Sequence, residues 1–141
     1  SAGARKTLEE LVQFARETNW NGQTLSKNPT TRNRLADMAI EVEVARMISY
    51  HIGWLQSEGE VFNREASMGK LFGSEMTQRI FRTGMSMMGL YGTLSKGSKW
   101  APLQGRVERG FLTSFSSTIA AGTSEIQRNV IATRGLGLPR G

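Results

Sequence analysis

The residues of this chain best suited to chemistry lie near its end, in Ala120-Ala121-Gly122-Thr123-Ser124-Glu125-Ile126-Gln127-Arg128. A glycine that frees the backbone precedes a threonine whose hydroxyl can cap a helix, accepting from an N–H two or three residues on. Ile126, Val130 and Ile131 give that helix an apolar face, and Gly135 or Gly137 with Pro139 ends it. A helix start with uncommitted N–H groups suits phosphate or another anion. The same spacing also describes an ordinary helix beginning. A second segment, Met87-Met88-Gly89-Leu90-Tyr91-Gly92, sets two glycines three apart, where backbone can approach a ligand closely or a helix can simply stop. Asp37 and Glu41 stand four apart and share a helix face, a spacing open to proton transfer; the expected reading is a solvated surface pair. His51 is expected to be a partly buried helix residue rather than a base or ligand. The methionines fall at helical spacing and read as core filler first, flexible binding surface second.

The elements that must position these groups are helices, with no convincing strand. Residues 4–19 carry Leu8, Leu11, Val12 and Ala15 at helical spacing. Residues 20–28 read as a polar loop. Asn28-Pro29 is a cap followed by proline at the first helical position. A long helix over 29–58 then shows two apolar stripes, Leu35, Met38, Val42, Ala45 and Ile48 on one side and Ile40, Val44, Met47 and His51 on another, so it is expected to pack on neighbours from more than one side. Asn63 is expected to cap a helix over 64–90 whose core face is Met68, Leu71, Phe72, Met76, Ile80 and Phe81, continued by Met85, Met87 and Met88. Gly69, Gly73 and Gly84 weaken that helix and are expected to serve close helix–helix approach. Residues 89–105 read as a loop. A fourth helix reaches about residue 120 with Val107, Phe111, Leu112, Phe115 and Ile119 as its stripe, and the tail helix follows from Thr123. The pattern predicts an all-α, up-and-down four-helix bundle with an additional short C-terminal helix, one domain over residues 1–141.

Composition narrows the function. Hydrophobic residues make up 38% and charged residues 21%, which suits a globular core rather than a disordered chain. Cysteine is absent, so disulfides and thiolate metal sites are excluded, and with His51 the single histidine neither a zinc site nor a histidine-based triad is expected. No apolar run approaches the roughly 18–20 residues of a membrane span, and no signal-peptide pattern opens the chain, so a cytoplasmic protein is expected. The net charge of +6 raises nucleic acid as a partner, but the cations are scattered among acids with no aromatic–basic platform, so none is expected. A phosphorylated small molecule would use the same charge.

From about Leu8 to Arg140 the chain resembles the C-terminal helical domain of the acyl-CoA dehydrogenases. The resemblance runs through Arg34-Leu35-Ala36-Asp37-Met38-Ala39, Glu43-Val44-Ala45-Arg46, Ala66-Ser67-Met68-Gly69-Lys70-Leu71-Phe72-Gly73-Ser74-Glu75 and, most specifically, the tail from Gly122 to Arg140. It implies a piece of a longer flavoenzyme that oxidises the Cα–Cβ bond of an acyl-CoA thioester with FAD, assembles as a homo- or hetero-oligomer (dimer or tetramer) through the bundle, and passes electrons on, electron-transfer flavoprotein being one acceptor. By resemblance Thr123, Ser124 and Glu125 contact FAD, and Gly122 lies next to the thioester. Ser86, Gly89 and Leu90 match a Gln-x-x-Gly-Gly segment that reaches a neighbouring subunit's flavin, with Ser86 in place of the glutamine and Leu90 in place of the second glycine. Arg16 stands where the family has an arginine on the FAD pyrophosphate, although the Phe-Gly after it has become Trp20-Asn21-Gly22. In most members a glutamate base stands at the position of Ala121. Three explanations stay open: a base on the preceding helix, an inactive subunit paired with an active one, or different flavin chemistry. The chain alone is expected to be catalytically silent and to hold FAD weakly or not at all. The other function considered is a non-catalytic helical assembly module that pairs with an active acyl-CoA dehydrogenase subunit.

Overall fold

Helix α1, Ala2–Glu17, turns Leu8, Leu11 and Ala15 inward at the spacing the sequence shows. The computed structural model describes residues 2–140. After α1 the expected polar loop is instead a minimal antiparallel hairpin, β1 (Asn19–Trp20) and β2 (Gln23–Thr24), with Asn19 opposite Thr24 and Trp20 opposite Gln23. Its corner is Asn21 (φ 51°) and Gly22 (φ 82°), the two consecutive left-handed residues that a tight hairpin turn demands. A 3-10 turn at Leu25–Lys27 leads on.

Helix α2, Pro29–Ser57, starts as expected, with the Asn28 side chain accepting from the Thr31 N–H at 3.1 Å and proline in the first turn. Leu35, Met38, Val42 and Ala45 are buried. The second stripe departs from expectation. Ile40 is 63% and Met47 61% exposed, Val44 and His51 are exposed too, and Tyr50 and Trp54 extend the bare face. Nothing within the described residues covers it.

Helix α3, Asn63–Met88, is the central element: α1, α2, the following helix and the tail all pack on it. Asn63 is its first helical residue rather than its cap; Phe62 holds the cap position and offers no side-chain acceptor. Met76, Ile80 and Met88 are fully inside, while Met68 is exposed. A Cβ on Gly84 would stand 2.9 Å from Val107 Cγ1 and 3.0 Å from Leu11 Cδ2, and one on Gly69 would stand 2.8 Å from Ile52 Cδ1, so these two glycines do permit close approach. Gly73 faces open space.

The segment expected as a loop contains 3-10 turns at Gly89–Thr93 and Pro102–Gly105, the second made of three left-handed residues, Leu103, Gln104 and Gly105. Helix α4, Arg106–Ser117, stops short of residue 120. It buries Val107 and Ser114, but Leu112, Phe115 and Ile119 of its expected stripe are exposed. Helix α5, Ser124–Val130, runs into a π turn at Ile131–Gly135. The core collects Leu8, Leu11, Ala15, Leu35, Met38, Val42, Ala45, Met76, Ile80, Met88 and Val107 into one cluster. The all-α bundle with its short extra helix is therefore as expected. Its accessible surface is 9120 Å², against roughly 7,200 Å² for a compact monomer of this mass.

Candidate functional site

The turn between α4 and α5 carries the segment singled out from the sequence. Ala121 (φ 55°) and Gly122 (φ 91°) are consecutive left-handed residues. A Cβ on Gly122 would also stand 2.7 Å from Gln127 Nε2, so glycine is required there twice over. The carbonyls of the turn face inward onto side-chain donors. Gln127 Nε2 donates to the Ala121 carbonyl at 3.0 Å and to the Gly122 carbonyl at 3.4 Å, and Lys70 Nζ of α3 donates to the Gly122 carbonyl at 2.6 Å. Gln78 Nε2 donates to Thr118 Oγ1 at 3.0 Å, and the Ser124 N–H closes the turn on the Thr118 carbonyl at 3.1 Å.

Thr123 caps α5 as expected, its hydroxyl accepting from the Ile126 N–H at 3.4 Å. Ser124 is buried. The Glu125 carboxyl is held below its ordinary pKa by the backbone N–H at the helix start and by the Thr123 hydroxyl, with the charges of Arg128 and Lys70 adding to it. The helix start thus supplies its own anion. This modifies the sequence expectation of an open anion site: the first-turn donors of α5 are already engaged by Thr123 and Glu125.

Ser86, on the last turn of α3, accepts from Arg34 Nη1 at 2.7 Å. Gly89 ends α3 with φ 56°, and a Cβ there would meet nothing within 4 Å. Leu90 is 88% exposed. Ser124 and Glu125 line one cleft of about 320 Å³ with Glu75, Gln78, Arg128 and Thr118; Ser86 lines another of about 400 Å³ with Arg34, Asp37 and Thr83. Both clefts include Arg79 and Arg82, so the two segments stand at opposite ends of one trough floored by α3. Arg16 is not brought there. It is exposed at the end of α1 and lines a separate cleft with Glu9, Gln13 and Glu43.

Sequence reasoning missed the polar frame of this trough. Arg79 grips Glu41 of α2 with Nε at 2.9 and 3.0 Å and Nη2 at 2.7 Å, reaches Glu75 at 3.9 Å, and Glu75 pairs with Arg128 of α5 at 2.6 Å. Glu41 is therefore not half of a solvated carboxylate pair. The i, i+4 spacing of Glu75 and Arg79 was visible in the sequence; the partners on α2 and α5 were not. His51 is exposed and stacks on Trp54 with ring centroids 5.9 Å apart, which corrects the expectation of partial burial. Position 121 has no group that can carry a proton. The carboxylates nearest in the frame are committed, Glu125 to the start of α5 and Glu75 to two guanidiniums. Arg34 and Arg82 have no ion-pair partner among the described residues. Among those residues no cluster of His, Asp and Glu could hold a metal, and no helix is long and apolar enough to cross a membrane.

The chain matches the acyl-CoA dehydrogenase C-terminal domain over residues 1–136. It is 35% identical to a probable acyl-CoA dehydrogenase, YngJ, of Bacillus subtilis, over 92% of this chain and 32% of that protein. It is 33% identical to the acyl-CoA dehydrogenase FadE26 of Mycobacterium tuberculosis, over 94% of this chain and 34% of that protein. The fold superposes on a chain of the ChsE4–ChsE5 complex from Mycobacterium tuberculosis with a TM-score of 0.89 at 31% identity, covering 99% of this chain and 36% of that one. The chain thus spans about a third of the length of the curated relatives it matches. The turn, its cap and the bundle beneath them belong together: this chain is a member of the acyl-CoA dehydrogenase family.

Proposed function

We propose that residues 1–141 are the C-terminal helical domain of an FAD-dependent acyl-CoA dehydrogenase, which removes hydrogen from the Cα–Cβ bond of an acyl-CoA thioester. The observation that carries this reading is the Ala121–Thr123 turn. Its two left-handed residues are held by donors from α3 and α5. When bound, the flavin of FAD would supply the hydride acceptor. The donor chemistry of the trough fits such a dinucleotide. Arg34 and Arg82, without a carboxylate partner among the described residues, are guanidiniums suited to a diphosphate, the Ser86 hydroxyl lines the same cleft and bonds Arg34, and Gly89 leaves open space beside its backbone. In this reading Thr123, Ser124 and Glu125 hold one part of the cofactor, Ser86, Gly89 and Leu90 another, and Gly122 abuts the thioester. Arg16, in its separate cleft, would act on a dinucleotide held by a different copy.

The α-proton needs a base that this chain does not supply at position 121. The domain by itself is inactive in this reading, and the base belongs to another part of the protein or to a partner. The bare faces of α2 and α4 favour assembly as a homo- or hetero-oligomer, a dimer or tetramer. The cytoplasm, and electron-transfer flavoprotein as the acceptor, complete the reading. A second reading draws on Ala121, Ser86 and Leu90 together with the two-protein character of the ChsE4–ChsE5 complex: a non-catalytic subunit that assembles with an active dehydrogenase. Purification of the intact protein separates them. Bound flavin that is bleached by an acyl-CoA supports the enzyme; a flavin-free protein that co-purifies with a flavin-bearing partner supports the assembly subunit and overturns the first reading.

A further inference from the structure

We propose that Lys70 is a positioning residue for the reacting turn. It holds the Gly122 carbonyl so that the peptide between residues 122 and 123 keeps one orientation. The inference rests on the dehydrogenase reading for its catalytic consequence, but the clamp itself stands on geometry.

Lys70 lies on α3, half-buried, and its ammonium has no carboxylate within ion-pair distance among the described residues. A lysine in such a place ordinarily finds an acid or turns out to water. Here it spans to a backbone carbonyl 52 residues away, at 2.6 Å. A charge-assisted bond of that length is stronger than a neutral one and fixes direction. The consequence follows from peptide planarity. The Gly122 carbonyl and the Thr123 N–H belong to one trans amide and point in opposite directions. With the oxygen drawn toward Lys70, the Thr123 N–H is turned away from α3, and it has no acceptor among the described residues. The cation also polarises that amide, which makes its N–H a better donor. Gln127 does the same, without charge, for the amide before it. The loop therefore presents outward N–H groups and an exposed position 121, with every strained residue fixed from behind.

The test compares Lys70→Met, which keeps the stem and removes the donor, with Lys70→Arg, which restores a charged donor, in the intact protein. Lys70→Leu, which also carries no donor, replaces the methionine variant if that one fails to fold. The first readout is amide hydrogen exchange at Ser124, whose N–H is bonded to the Thr118 carbonyl across the turn. Lys70→Met is expected to speed it at least about ten-fold while core amides of α3 near Ile80 are unchanged, and Lys70→Arg to return it close to the original rate. Unchanged exchange at the turn overturns the clamp, whatever the enzyme does. The second readout is acyl-CoA turnover. A misplaced turn should lower kcat at least about ten-fold while KM moves by less than about three-fold, with recovery in Lys70→Arg. A loosened turn with unchanged kcat overturns the positioning role. If the unaltered protein oxidises no acyl-CoA, the dehydrogenase reading fails and the catalytic half of this proposal fails with it, while the exchange rates still decide whether Lys70 holds the turn.

Discussion

The two segments that face the trough are built in opposite ways. At residues 118–125 the carbonyls and hydroxyls of the turn are taken by the protein: Lys70, Gln78 and Gln127 hold the Ala121 and Gly122 carbonyls and the Thr118 hydroxyl, and Thr123 and Glu125 close the start of α5. At Ser86, Gly89 and Leu90 the chain is open. Gly89 has nothing within 4 Å of its missing Cβ, Leu90 is almost fully exposed, and Ser86 relies on one guanidinium. The first segment is set by its own fold and serves as a rigid part. The second is left exposed by the described residues. In the proposed reading such a domain contributes one finished edge and one unfinished edge to a site.

Glycine substitutions should expose that contrast most strongly. Gly122→Ala imposes a side chain on a left-handed residue and drives Gln127 off its two carbonyls, so it should lower unfolding stability by about 2–3 kcal/mol. Gly89→Ala meets no neighbour, so its loss comes from the backbone alone, φ 56° with ψ −135° being a conformation few residues but glycine adopt, and is expected at about 1–3 kcal/mol with no hydrogen bond displaced. Denaturant unfolding of both variants measures the difference. A Gly122→Ala loss under about 1 kcal/mol would mean that the turn is not held as tightly as its hydrogen bonds indicate.

The frame between the two segments comes next. Glu75→Gln leaves Arg128 without its partner and weakens the link to Arg79. The partners are half exposed, so a loss of about 1 kcal/mol is expected, shrinking as salt is raised to 1 M. A salt-independent loss would point to packing rather than charge.

The closed segment also has a pH signature. The folded pKa of Glu125 is depressed, so its ionised form adds stability that is present above the ordinary carboxylate pKa and disappears as pH falls through the depressed value. The stability gap between the unaltered chain and Glu125→Gln should be level between pH 6 and 8 and close on acidification below about pH 4.5. A gap that widens on acidification would contradict the arrangement of Glu125 at the helix start.

These expectations also mark what was legible in the residues alone. Leu8, Leu11 and Ala15, or Leu35, Met38 and Val42, reveal their helices because a buried stripe repeats with the helical period. The same periodicity cannot say what covers a stripe, so Ile40, Val44 and Met47, and Leu112 and Ile119, read as core although this chain leaves them bare. The hairpin was hidden by brevity: two-residue strands show no alternation, although Asn21-Gly22 was a turn signal in plain view. Thr123 could be read as a cap because its partner is three residues away. Lys70 and Gly122 stand 52 residues apart, and only the fold joins them.

The smallest structural effect belongs to the substitution with the largest chemical meaning. Ala121 already occupies the left-handed region, its side chain is exposed, and its carbonyl is held by Gln127. Ala121→Glu changes neither the backbone nor any buried contact, so stability should move by less than about 0.5 kcal/mol. The rigid turn would then carry a carboxylate at the place where an α-proton base is expected by resemblance. In the intact protein the variant should raise exchange of the α-hydrogen of a bound acyl-CoA with solvent deuterium, measured by mass spectrometry. An unchanged exchange rate would mean that a base already reaches the substrate from elsewhere. The finished edge would then be a support for chemistry delivered across the unfinished one.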